Sequence, residues 1–319
     1  MSPLRTLGSP RRLLTAITLP VVAALVLTGC SGDEGTSGKG AGSDKAASGT
    51  HDVQHARGTA KVPHKPQRVV VLEPVQLDTA IALDVVPVGA ALFNEKAGVP
   101  AYLGEKASGI ASVGTVPEPN IEKIAALDPD LILGTESRHS ALYQRLSSIA
   151  PTVFMATQTD PWTENVQLVA RALGNEKGAT ALLGTYEKRC AEVAGTHQTK
   201  GKTAQLIRPR DGVLSLYGPT SFAGSTLECA GFTIPKQDWA KDISVDISPE
   251  RVAQARADLV LVTAADVKAG DAVPESIRKN AKVFPKPHAV DQSFWIAGVG
   301  PRGGMAVLDD LDRILAASK

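Results

Sequence analysis

One pattern of apolar and polar positions occurs twice along this chain. Ile121–Thr135 reads IEKIAALDPDLILGT, and Pro249–Thr263 reads PERVAQARADLVLVT. Aligned without a gap, the copies share Glu122 with Glu250, Ala125 with Ala253, Asp130 with Asp258, Leu131 with Leu259, Leu133 with Leu261 and Thr135 with Thr263. Each opens with a Glu in a first helical turn, where a negative charge meets the positive end of the helix. A short helix follows, then a turn closing on Asp, then an unbroken apolar run. Such a run suits a strand buried on both faces, as in a parallel sheet. Each copy is therefore a helix feeding a sheet strand. The fold class predicted is α/β, with two similarly built Rossmann-like lobes and a cleft between them, the usual place for a small ligand.

Around the first copy, His51–Val62 fits an edge hairpin and Arg68–Glu73 a buried strand. Leu77–Leu83 fits a helix, Val85–Ala90 a strand, Ser140–Ile149 a helix and Thr152–Met155 a strand. This alternation predicts a mostly parallel sheet with ligand-facing groups beyond the strand ends. Those groups fall at 73–76, 92–94, 115–117 and 135–139. Thr163–Leu173 and Glu176–Ala194 are helical by pattern. In the second, Ala179, Leu182, Leu183, Tyr186, Cys190 and Val193 make one apolar stripe. Its roughly 19 residues span about 28 Å, enough to cross from one lobe to the other as a single long helix. Further on, Ala204–Ile207 and Val213–Leu216 read as a strand pair, Ser225–Ala230 as a helix and Phe232–Ile234 as a strand. Ser248–Arg256 reads as a helix with Ser248 as N-cap and Pro249 at its first position. Lys282–Phe284 reads as a strand and Gly304–Ala317 as the closing helix.

The N-terminus changes the picture. Arg5, Arg11 and Arg12 precede the apolar run Leu13–Leu27, the layout of a secretory signal. The run ends in Leu27-Thr28-Gly29-Cys30, which resembles the lipobox of bacterial lipoproteins and predicts a lipidated Cys30 on an extracytoplasmic, membrane-anchored protein. Two or three acyl chains anchor stably where one does not. Ser31–Thr50 is rich in Gly, Ser, Ala, Asp and Lys and cannot bury a core, so it reads as a flexible tether spanning about 25 Å. The organisation expected is a leader at 1–29, lipidated Cys and tether at 30–50, a first lobe at 51–160, connecting helices at 161–197 and a second lobe at 198–319. The formal charge is +1, and losing the three leader arginines leaves −2. That balance gives no reason to expect nucleic acid.

Several chemical motifs fail on context. Gly298, Gly300 and Gly303 carry dinucleotide-fingerprint spacing, but the chain ends one helix later. Gly201-Lys202-Thr203 imitates a phosphate loop without its strand. No nucleophile elbow or metalloprotease helix is present, so no catalytic residues and no enzyme activity are predicted. No protein metal site or cofactor is expected either, with His139 and His288 only weak candidates. Cys190 and Cys229 either pair or stand alone; spacing leaves both open. The suggestive set is polar and aromatic: Glu73, Arg138, Arg208, Arg210, Tyr217, Phe222, Trp239 and Trp295. Guanidinium groups bond oxyanions and stack on rings, which suits a bulky ligand with an oxygen shell and apolar methylenes.

The segments KPQRVVVLEPVQLDTAIALDVVPVG, VGTVPEPNIEKIAALDPDLILG, LYQRLSSIAPTVF, YGPTSFAGSTLECAGF and DISPERVAQARADLVLV carry a resemblance. Together, from Gly58 to Leu315, the chain resembles the iron-siderophore branch of the solute-binding lipoproteins of ABC importers, the class with a helical backbone between lobes. The resemblance implies a monomeric receptor that delivers a ferric siderophore to a membrane permease and its ATPase. It implies that Glu122 and Glu250 dock on the permease, and that Arg138 and Arg208 contact ligand, with Trp295 near an aromatic contact. The sequence shows no dense basic run, which favours hydroxamate chelates over highly anionic catecholates. The chelator saturates the iron, so no metal ligand from the protein is needed. The alternative within the same build is cobalamin, haem or a bare metal ion, with Tyr217 or His139 as a haem ligand.

Overall fold

The computed structural model describes residues 49–239 and 242–317. The predicted leader, Cys30 and nearly all of the tether lie outside the described residues. A hairpin comes first: β1 (Thr50–His55) pairs antiparallel with β2 (Gly58–Pro63). Its turn is fastened to the first lobe by Ala56, whose N–H donates to the Phe154 carbonyl at 2.9 Å.

The first lobe is a five-stranded sheet in the order β5-β4-β3-β6-β7. The strands are β3 (Val69–Val71), β4 (Gly89–Leu92), β5 (Ala111–Thr115), β6 (Leu131–Thr135) and β7 (Thr152–Met155), and every pairing is parallel. Helices α1 (Pro74–Ala82), α2 (Ile121–Ala126), α3 (Glu136–His139) and α4 (Tyr143–Ser147) connect them. The chain then runs through α5 (Trp162–Ala172) and the 22-residue α6 (Glu176–His197).

The second lobe orders its strands β10-β9-β8-β11-β12. These are β8 (Ala204–Arg210), β9 (Val213–Tyr217), β10 (Ser244–Ile247), β11 (Leu259–Ala264) and β12 (His288–Asp291), with helices α7 (Phe222–Cys229), α8 (Glu275–Arg278), α9 (Gln292–Trp295) and α10 (Pro301–Ala316). Strands β8, β11 and β12 run parallel, whereas β9 is antiparallel to both of its neighbours, β8 and β10, and alone reverses direction. The reversal follows from Asp211 and Gly212, whose φ angles of 49° and 79° make the left-handed pair that closes a tight hairpin.

The repeated segments lie in different sheets, and β6 and β11 hold the same fourth place in each order. The shared aspartates do the same work. Asp130 accepts from the N–H groups of Gln67 and Arg68 at 2.7 and 2.9 Å, just before β3. Asp258 accepts from the N–H and hydroxyl of Thr203 at 2.8 and 2.9 Å, just before β8. The copies differ in one respect: 121–126 is α-helical, while Pro249–Ala255 is a 3-10 helix. Ser248 is the N-cap residue there, but its side chain makes no capping bond to the helix backbone.

Three other expectations shift. The strand placed at 85–90 begins only at Gly89, because Asp84 turns with φ 62° and Pro87 offers no N–H. Lys282–Phe284 is a turn, and β12 follows it; Phe284 is buried as a core residue rather than a strand member. Phe232–Ile234 makes a single bridge, Thr203 to Thr233.

Three apolar cores hold the fold. One lies on the outer face of each sheet: Val70, Ile124, Ile132 and Phe154 in the first, Ile207, Leu216, Val252 and Val262 in the second. The third is continuous from the inner face of one sheet through α1, α5, α6, α7 and α10 to the other. The α6 stripe is buried at Ala179, Leu183, Tyr186, Cys190 and Val193, with Leu182 half-buried. Cys190 and Cys229 form a disulfide that ties α6 to α7, with Cα atoms 5.4 Å apart. Arg189 on α6 also bridges to Asp309 and Asp312 on α10, both at 2.9 Å. Among the described residues no helix is long and apolar enough to cross a membrane.

Candidate functional site: a cavity between two lobes

A cavity of about 370 Å³ opens between the lobes. Its first-lobe wall comes from three strand ends. Glu73 follows β3 and is the N-cap of α1, where a reciprocal bond pattern fixes it. Gln76 Oε1 accepts from the N–H groups of Leu72 and Glu73, both at 3.1 Å, and its Nε2 donates to the Gly134 carbonyl at 2.8 Å. The ends of β3 and β6 are thus tied together. Arg138 follows β6 and its Nε donates to Glu73 Oε1 at 2.8 Å. Burial pushes the Glu73 carboxyl up from its ordinary range, and the Arg138 guanidinium opposes that shift. Phe93 follows β4 and is 50% exposed, an uncovered ring on the cavity wall.

The second-lobe wall comes from the hairpin. Arg208 and Arg210 alternate on β8 and so share a face, and both line the cavity. Arg210 is already neutralised: its Nε donates to the Ser215 hydroxyl at 2.8 Å and its Nη2 lies 3.4 Å from the Asp246 carboxylate. Arg208 instead has the Tyr217 hydroxyl at 3.4 Å, and among the described residues no carboxylate bridges to it. Asp160 is the other acid on the lining, and it accepts from the Thr157 N–H at 3.1 Å. The floor is aromatic. Trp162 on α5 meets Phe222 on α7 edge-on at 5.4 Å and Tyr186 on α6 at 5.1 Å.

Of the eight residues expected to contact ligand, Glu73, Arg138, Arg208, Arg210, Tyr217, Phe222 and Trp295 line this cavity. Trp295 does so as a fully buried wall residue whose indole N–H donates to Asp310 at 2.9 Å. Trp239 is absent from the lining. Its ring packs on Gly218, where an added Cβ would sit 2.8 Å from the indole, and so it supports the loop after β9. The loop at 115–117 also lies off the lining, and Gln76 is buried in capping work. His139 is fully buried with both ring nitrogens engaged, one by the Thr135 N–H at 3.1 Å and one by the Val116 carbonyl at 2.8 Å, which leaves none for a haem iron. The sequence reading missed Trp162, Gln158 and Asp160, and it did not single out Phe93 within its loop.

Glu122 and Glu250 stand outside the cavity. Glu122 is 77% exposed, 3.2 Å from Arg145. Glu250 is exposed, and bonds from its own backbone N–H and the Ser248 hydroxyl hold its carboxyl below the usual range.

Two α/β lobes with a long connecting helix and a charged, aromatic cavity between them define a solute-binding protein. The chain belongs to the family described as periplasmic binding protein, whose model matches residues 69–284. Over 320 residues it is 30% identical to Probable siderophore-binding lipoprotein YfiY of Bacillus subtilis, covering 94% of this chain and 97% of that one. It is 29% identical over 262 residues to Fe(3+)-citrate-binding protein YfmC of the same organism, covering 81% of each. Its fold matches Staphylococcus aureus SirA complexed with staphyloferrin B at a TM-score of 0.72 and 28% identity, over 84% of this chain and 99% of that one.

Proposed function

We propose that this protein is a lipid-anchored extracytoplasmic receptor that takes a ferric siderophore into the interlobe cavity and delivers it to an ABC importer. The carrying observation is the convergence of Arg138, Arg208 and Arg210, from both lobes, on one cavity with an aromatic floor. Guanidinium forks suit the oxygen shell of a ferric chelate, and the rings suit its carbon skeleton. The absence of a dense basic run in the sequence favours hydroxamate chelates; the fold gathers three arginines in space, of which Arg208 has no carboxylate partner among the described residues and is open to a ligand oxyanion. The cargo is therefore a chelate with anionic oxygens, either a hydroxamate bearing a free carboxylate or a carboxylate chelate. The name of YfmC, an Fe(3+)-citrate-binding protein, supports that reading. Glu122 and Glu250 are the proposed permease contacts, one on each lobe, and their charges would orient docking more than tighten it. The protein binds and hands over its cargo without turning it over.

The test is a fluorescence titration of the three tryptophans with a panel of ferric and metal-free chelators. Saturable quenching by ferric carboxylate or hydroxamate chelates, and weaker quenching by the metal-free forms, is the expected outcome. No response across the panel, with a haem absorbance band appearing on haemin titration, would replace this reading with a haem receptor.

A further inference from the structure

Asp78 sits in the middle of α1, fully buried, and belongs to no wall of the cavity. Its carboxylate nonetheless receives donors from two distant parts of the chain. The Arg302 N–H donates to Oδ1 and the Gly303 N–H to Oδ2, both at 2.8 Å. These are first-turn amides of α10, which have no acceptor within their own helix. The Tyr102 hydroxyl, from the 3-10 turn Ala101–Leu103, bonds the same carboxylate. The fit is close: a Cβ on Gly300 would lie 2.5 Å from the Asp78 carboxyl carbon. A second tie runs alongside, from Arg302 Nη1 to the Leu103 carbonyl at 2.9 Å.

The two helices joined here are the roots of opposite cavity walls. Glu73, Pro74 and Val75 line the cavity at the start of α1, and Trp295, Ile296 and Val299 line it just before α10. We propose that Asp78 is a positioning residue for cargo binding: its carboxylate bolts the first turn of α10 to α1 and thereby sets the gap between the two walls. This rests on the cavity being the cargo site.

The charge on the bolt matters, because only an ionised carboxylate offers good acceptors to both amides. The charged or titratable groups facing it are Arg302 from α10 and Tyr102 from the 3-10 turn; no others act on it among the described residues. Burial pushes the Asp78 acid up to about 7, while the two amides and the Tyr102 hydroxyl pull it down. Lowering the pH through that value adds a proton, strips one amide of its acceptor and loosens the gap. Stability runs the other way. A carboxyl raised in the folded state contributes stability below its unfolded value of about 3.9, and this is lost as pH rises through the folded one.

The experiment uses the full chain in detergent, as wild type, Asp78→Asn and Tyr102→Phe. Dissociation constants for ferric citrate and ferric aerobactin, a hydroxamate bearing free carboxylates, are measured between about pH 5.5 and 8.5. In parallel, spin labels replacing exposed Lys106 and Lys268 report the distance between lobes without cargo. Wild type is expected to lose roughly tenfold in affinity and to lengthen its label distance as pH falls through neutrality. Asp78→Asn, whose amide oxygen accepts from one N–H only, should be weak and wide at every pH. Tyr102→Phe removes a bond to the charged form, so its midpoint should move to higher pH. A wild-type label distance that ignores pH, or an Asp78→Asn protein with wild-type affinity and profile, overturns the proposal. Failure of both chelates to bind wild type would sink the receptor reading instead, and the label distance would still judge the bolt.

Discussion

Arg208 has the least satisfied charge in the cavity, and its contribution should show most clearly on ligand binding. Arg208→Ala is expected to weaken binding of a ferric chelate by about 1.5–3 kcal/mol, the worth of a charge-assisted hydrogen bond, with Arg208→Lys recovering part of it. Arg210→Ala should cost less, because Asp246 already takes up that charge at 3.4 Å. Fluorescence titration of the three variants side by side gives the order. Phe93→Ala should also weaken binding, since it removes the ring left 50% exposed on the cavity wall. Much of this site was legible. Arg138, Arg208 and Glu73 lie at strand ends, and strand ends point at the cleft in a parallel sheet. The aromatic residues were less so. A tryptophan's sequence neighbours do not say whether its ring faces a cavity, a loop glycine or a carboxylate such as Asp310. Trp239 and Trp295 therefore looked alike, and Trp162 was hidden at the start of an ordinary amphipathic helix.

The repeated element owes its recognition to a chemical constraint. Asp130 and Asp258 recur because each fastens the backbone entering the central strand of its own sheet. Bonds from the Thr203 N–H and hydroxyl hold the Asp258 carboxyl below its ordinary range. Such a group adds stability above the unfolded value, and the gain is lost as pH falls through the depressed one. Asp258→Ala should thus lower the melting temperature by about 2–4 °C at neutral pH and by less in acid. Calorimetry across pH checks both parts. The α6–α7 disulfide is a second test at this scale. It joins cysteines 39 positions apart, and removing such a loop constraint costs about 4 kcal/mol in the chain-entropy account. Denaturant midpoints with and without reductant should differ accordingly. Element identity was readable where a run is buried along its whole length, as at Thr152–Met155, which is reproduced to the residue. It failed where edge strands are short and polar, as in β5 and β10, and where a proline displaced a strand start, as at Pro87.

At the scale of the whole molecule, two sheets share one continuous inner core, and the proposed docking glutamates stand on separate lobes. Glu122→Lys with Glu250→Lys is expected to abolish chelate uptake and stimulation of the importer's ATPase while leaving chelate affinity within about twofold of wild type. Each single change should act mainly on the association rate and be sensitive to salt. Loss of chelate affinity in the double variant would contradict this assignment. The twofold plan was visible from the repeat alone, whereas the reversed direction of β9 was set by a two-residue turn that periodicity does not register.

The two copies of the repeat differ in local structure, and in the proposed docking that difference would have a use. Glu122 rides an α-helix capped by Asn120, whereas Glu250 rides a 3-10 turn and is bonded by Ser248. A transporter with two matching halves would offer a perfectly mirrored passenger two equivalent seats, half a rotation apart. Unequal handles remove that degeneracy, so the receptor would arrive with one preferred heading and its cavity mouth always presented the same way.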